Sequence, residues 1–167
     1  MAGKAIESQG KLGHIFQINV SNGGVPKLAL PQADVTSLGL VGDRQANTNV
    51  HGGVERALCL YSLERILTLQ AEGHAIFPGA IGENLTVAGV NWDLVEPGIR
   101  LRLGGDVLLE ITRYTSPCNT IAYALSGGEI GRVSQIAHPG WSRVYARVIQ
   151  CGWIKVGDVV IIGLASE

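Results

Sequence analysis

Apolar and polar residues alternate most cleanly over residues 99–103, where Ile99, Leu101 and Leu103 fall on one face and Arg100 and Arg102 on the other. A period of two is that of a half-buried strand. Gly104-Gly105-Asp106 turns the chain into a second such run over 107–113, so this stretch predicts a hairpin. Residues 14–20 predict another strand, with Ile18 and Val20 on one face and a turn at Asn22-Gly23-Gly24. Residues 56–61 are a more apolar strand. Ser62 then caps a helix over 63–72, with Leu63, Ile66 and Leu67 on one side and Gly73 as its stop. Val144–Gln150 and residues 156–162 predict two further strands, joined through Gly152 and Gly157-Asp158. Between the hairpin and these strands, 117–138 is helix-compatible and ends at Pro139-Gly140. The pattern is mainly β, a barrel-like sheet with two or three short helices.

Composition narrows the class. The 167 residues include 23 glycines and carry a net charge of −1 with only 16% charged residues, and no run of one sign is long. One domain is expected, with a core over about 10–164. No basic stripe exists to neutralise phosphates, so nucleic acid is not an expected partner. No apolar run reaches spanning length and no apolar leader opens the chain, so neither a membrane nor export is expected. Cys59, Cys118 and Cys151 are too few and too scattered for a disulfide framework or a zinc knuckle. A reducing, cytoplasmic setting fits them.

Candidate chemistry begins in the loop from Gly42 to Arg56, fifteen residues almost without core-forming side chains. Asp43, Arg44, His51 and Arg56 stand in it with three glycines, a stock of cations and backbone N–H groups suited to an anionic, hydrogen-bond-rich molecule. An ordinary solvated connection is the alternative. The second polar cluster, Gly82-Glu83-Asn84, precedes an apolar run. Asn84 there can present its amide to a heterocycle, and Glu83 can accept ring N–H groups or hold an arginine, or both can simply build a turn. Cys118 follows Pro117 at an expected loop-to-helix junction, where a helix dipole favours the thiolate that attacks electrophiles, carries a persulfide or binds a soft metal. Cys59 and Cys151 read instead as small apolar residues. His14, His74 and His138 have no spacing that would assemble a zinc site with His51, and no P-loop or Ser-His-Asp pattern occurs.

These segments, in this order, resemble the MOSC domain family, named for the C-terminal domain of molybdenum cofactor sulfurase. The resemblance covers residues 13–20, 23–27, 39–44, His51-Gly52-Gly53, 56–64, Pro78-Gly79, 82–87, 98–104, Pro117-Cys118, 145–148 and 152–158. Thr115 and Ser116 stand where family members often carry an arginine, and Gln45 and Val50 where many carry a histidine. The resemblance implies a barrel-like single domain of the bacterial kind over 1–167. It also implies binding of molybdenum cofactor (molybdopterin), a pterin with a dithiolene-held metal and a terminal phosphate. Cys118 would be the catalytic metal ligand, Arg44, Arg56 and Arg143 would hold phosphate and pterin, and Glu83 and Asn84 would meet the heterocycle. The implied activity is an oxidoreductase reducing N-hydroxylated bases or amidoximes with electrons from a donor protein. Its alternative is a sulfur carrier holding a persulfide on Cys118 without redox turnover. Pyridoxal phosphate, tied to the full-length sulfurase through a separate domain, is not expected on Lys4, Lys11, Lys27 or Lys155. Substrate, donor and oligomeric state are not written in the chain.

Overall fold

The computed structural model describes residues 12–44 and 52–163. In chain order the elements are β1 (Gly13–Val20), β2 (Leu28–Leu30), β3 (Gln32–Thr36), β4 (Gly39–Leu40), β5 (Leu58–Ser62), α1 (Leu63–Ala71) and β6 (Leu85–Ala88). They continue as β7 (Arg100–Leu103), β8 (Val107–Tyr114), β9 (Val144–Gln150), β10 (Gly152–Lys155) and β11 (Val159–Gly163). Seven strands hydrogen-bond in the order β11-β7-β8-β9-β5-β6-β1, and β1 pairs back onto β11 to close a barrel. The chain is therefore mainly β and barrel-like, as its alternation predicts. Closure removes the open edges that an unpaired sheet would present. β2 is an added strand on β1, and β10-β3-β4 form a second small sheet.

The inner face repeats the two-residue period strand by strand. Ile15, Leu60, Val87, Leu101, Leu109 and Val160 are all within 1% of complete burial and belong to one core. Burying each such side chain contributes about 1.5–3 kcal/mol. A bulge between Ile15 and Gln17 turns both Ile15 and Ile18 inward although they are three residues apart. β5 and β6 are a parallel pair, and α1 makes the crossover that this requires. Ser62 caps α1 as its sequence predicts, its Oγ accepting the amide of Arg65 at 3.2 Å. No helix among the described residues is long and apolar enough to cross a membrane.

Three expectations are corrected. The strand expected over 56–61 starts at Leu58, because Val54–Arg56 is a 3-10 turn. The strand expected over 156–162 is a hairpin bend followed by β11. Asp158 there accepts the Lys155 amide at 2.9 Å, and Gly157 takes φ +93°, a conformation that closes the turn. The helix-compatible stretch after Pro117 forms no α-helix. It folds as short 3-10 turns, Asn119–Ala124, Ser126–Gly128 and Ile130–Val133, interrupted where Gly127 and Gly128 adopt positive φ. It forms a strap whose Ile121, Ala124 and Val133 join the core and whose Tyr123 and Ser126 bond to Ala80 and His74.

Candidate functional site

Because Leu58, Leu60, Val144 and Ala146 fill the barrel, the residues between them on β5 and β9 must face outward. Cys59 and Tyr145 are direct partners in the β5–β9 register. Arg143 lies two residues from Tyr145, immediately before β9, so the two share that outer face. Asn84 joins them from the neighbouring β6 side, its backbone amide bonded to the Cys59 carbonyl at 2.8 Å. This wall is nonetheless shielded: Cys59 is 6%, Asn84 2%, Arg143 7% and Tyr145 9% exposed. The strap covers one flank. It leaves β8 at Thr115, whose amide donates to the Arg143 carbonyl at 3.1 Å, and Tyr123 ties it down by donating to the Ala80 carbonyl at 2.5 Å. The 41–44 segment and the turn at Val54–Arg56 border the other flank.

Asn84 is bonded on every side. Its Oδ1 accepts the Cys59 amide at 3.0 Å, and its Nδ2 donates to the Asn19 carbonyl at 3.3 Å and to Asp43 Oδ2 at 2.8 Å. Asp43 in turn accepts from the Ser21 amide at 2.9 Å and pairs with Lys27 Nζ at 2.6 Å, both partners nearly buried. A chain of bonds thus runs from the wall to the start of the polar loop and holds both in register. Arg44 follows it, backbone-bonded to the Ser21 carbonyl at 2.8 Å with its side chain exposed. His51 lies outside the described residues.

Glu83 is fully buried. One carboxylate oxygen accepts the Gly79 amide at 2.5 Å and the Thr86 hydroxyl at 3.1 Å, and the other has no partner. Burial pushes its acidity weaker than an ordinary carboxyl, against the opposing Gly79 hydrogen bond. Gly79 is required here, since at φ +88° a Cβ would stand 2.4 Å from the Lys27 carbonyl oxygen. Arg143 is anchored by Nη1 donating to the Ile81 carbonyl at 2.6 Å, while its Nε is buried without a partner. A buried guanidinium N–H left unbonded costs about 1–3 kcal/mol, so such a donor is a place to expect a ligand oxygen.

Cys118 stands half-buried where the strap enters its first 3-10 turn, its Sγ 2.8 Å from Thr120 Oγ1. The six-residue turn replaces the helix start expected there, and the local contact that orients the sulfur is Thr120. Tyr145 belongs to the same wall. The Arg56 guanidinium lies 5.7 Å from its ring centroid, and its phenol is pushed up to about 12, by burial first, then by Cys59, with Arg143 and Arg56 opposing and Cys118 adding. Burial likewise pushes the Cys59 thiol up to about 11, against Arg143. The structure therefore sets Arg56 over the ring of Tyr145 and Arg143 beside it on the same face, with Cys118 held apart by Thr120 at the start of the strap. Asp43, Glu83 and Asn84 form the hydrogen-bonded floor behind that face, and Arg44 stays at the rim. Tyr145 and Lys27 are not singled out by sequence reasoning. Two positions after Arg143 in an alternating strand was the available signal for Tyr145.

A family model described as "MOSC domain" matches residues 47–161. Protein YiiM of Escherichia coli (strain K12) is 35% identical over 112 residues, covering 64% of this chain and 50% of that protein. A protein of Gibberella moniliformis named "Reductase" is 30% identical over 130 residues, 75% of this chain and 22% of its own length. The chain thus spans half or less of these relatives. The solved YUAD protein from Bacillus subtilis superposes with a TM-score of 0.72 at 15% identity, covering 90% of this chain and 95% of that one, which is a likeness of fold.

Proposed function

The chain belongs to the MOSC domain family, which is linked to the molybdenum cofactor and to reductase-type proteins, and from that premise we propose that its outer wall binds this cofactor and reduces N–O bonds. The substrates would be N-hydroxylated bases or amidoximes. The observation that carries this reading is the buried, unpaired Nε of Arg143 on the wall where Arg56 lies over the Tyr145 ring.

The residues present fit the group. Among the described residues no three His, Cys, Asp or Glu side chains gather as a metal site, and a dithiolene cofactor needs only one protein thiolate because it brings its own sulfurs. Cys118 supplies that soft ligand. Arg143 offers a rigid, always-charged donor to a phosphate or pterin oxygen, and Arg56 a second at the mouth. When bound, the cofactor supplies the two-electron chemistry. The net change on the substrate, R–NHOH to R–NH2, takes up two electrons and two protons and releases water. Tyr145 keeps its proton at neutral pH and serves as a hydrogen-bond donor on this wall. Thr120 orients the Cys118 sulfur, and the Asp43–Asn84 chain of bonds keeps the floor from shifting.

Cys118→Ser is the test. It preserves shape but substitutes a hard hydroxyl for a soft ligand. Cofactor-loaded variant should fold normally and lose reduction of an N-hydroxylated base with an artificial donor by at least about 100-fold, the upper end of the loss from mutating an outer-shell partner, since a direct ligand is removed. Activity retained by the serine variant refutes the role of Cys118. Loaded wild type that is inactive on several such substrates favours the persulfide carrier instead.

A further inference from the structure

The outer face of β7, β8 and β9 carries a block of charge that the proposed site does not use. Arg100 and Arg147 bracket Glu110, Arg100 Nε at 3.0 Å and Arg147 through Nη2, and Arg147 also reaches Glu55 at 3.5 Å. These contacts neutralise the two glutamates. Two arginines on the same face are left over. Arg102 projects outward between the buried Leu101 and Leu103, and Arg113 projects outward at a bulge in β8. Both are exposed, and neither is in an ion pair among the described residues. The face thus holds four arginines against two glutamates on a chain whose net charge is −1. Arg113 is the register partner of Tyr145, so the positive face runs directly up to the candidate site. It is not wholly polar: Ile149 on β9 and Ile161 on the adjoining β11 are each more than 40% exposed.

We propose that this face docks an acidic electron-carrier protein. The proposal rests on the reductase reading, since reduction of R–NHOH takes up two electrons. A one-electron carrier delivers them in two successive encounters, each oxidising one reduced carrier, while solvent supplies the two protons. The surface has the character such encounters require. Excess positive charge steers an acidic partner, a small apolar component lets the pair settle, and a charge-dominated contact releases quickly enough for the second carrier to dock. The docking face reaches Tyr145 itself through Arg113, which brings the carrier to the edge of the candidate site.

Reduced flavodoxin, an acidic flavoprotein, is the probe. Its binding to the isolated protein is measured by titration calorimetry at about 20 mM and about 200 mM salt, for wild type, Arg102→Glu/Arg113→Glu and Arg102→Lys/Arg113→Lys. Wild type and the lysine pair should bind at low salt and weaken at high salt, and the glutamate pair should lose at least about tenfold in affinity. Flavodoxin-driven turnover of the loaded protein should fall in parallel, while turnover driven by reduced methyl viologen stays unchanged. Absent wild-type binding, or equal binding by the glutamate pair, overturns the docking face and leaves the reductase reading intact. Methyl viologen turnover absent from loaded wild type overturns the reductase reading, and the binding series still decides whether the face recognises an acidic carrier.

Discussion

Replacing Asn84 by alanine separates a residue that builds the wall from one that touches a ligand. The side chain makes three hydrogen bonds, to the Cys59 amide, the Asn19 carbonyl and Asp43 Oδ2, and is 2% exposed. Truncation leaves the Cys59 N–H without its acceptor at a buried place, costing about 1–3 kcal/mol, and removes a charge-assisted bond to Asp43 worth about 1.5–3 kcal/mol. A total of about 3–5 kcal/mol follows when partial relaxation of the Asp43–Lys27 pair is allowed for. For a protein of this size each kcal/mol moves the melting temperature by about 2–4 °C, so Asn84→Ala should melt about 6–20 °C below wild type. The measurement is calorimetric melting of protein prepared without cofactor, so that no ligand stabilises either form. Asn84→Asp sharpens it, because this isostere keeps the acceptor for Cys59 but sets a second carboxylate against Asp43. It should be worse than wild type at neutral pH and recover partly in acid. An Asn84→Ala protein that melts like wild type but fails to retain the cofactor would refute the argument and return Asn84 to the ligand.

Two further outcomes follow from buried groups. Glu83 holds its proton to higher pH in the folded chain than its ordinary value of 4.5, so its contribution favours folding fully below that value and is lost as pH rises through the folded one. Denaturant unfolding across this range should show the decline in wild type and a flatter profile in Glu83→Gln, and identical profiles would show that the carboxyl is not the cause. Cys59, 6% exposed and with its thiol pushed up to about 11 by burial, should resist a brief iodoacetamide pulse at neutral pH that labels the exposed Cys151 and the half-buried Cys118. Mass-spectrometric mapping of equal labelling at all three would show that the wall opens.

How far the sequence could be read depended on whether a signal was local. The hairpin through Gly104-Gly105-Asp106 and the Ser62 cap of α1 are written in neighbouring residues, and both appear where periodicity and turn chemistry put them. The strap after Pro117 was not legible. Helix-compatible residues there lie against the barrel, tied down by Tyr123 and broken by Gly127-Gly128, so packing overruled local propensity. Candidate residues divided in the same way. That Cys118, Arg56 and Arg143 are candidates for chemistry follows from their types and from the resemblance, without knowing their neighbours. That Arg56 and Arg143 flank one wall is decided only by the pairing of β5 with β9, strands far apart in the chain. Asp43, Glu83 and Asn84 read as polar loop residues, since a sequence lists donors and acceptors without saying which already have partners. Only the tertiary structure showed Asp43 paired with Lys27, and Asn84 bonded to the chain around it. The sequence by itself determined the class of fold and the family. The tertiary structure decided which polar groups are satisfied within the protein, because hydrogen-bond satisfaction depends on contacts between residues far apart in the chain.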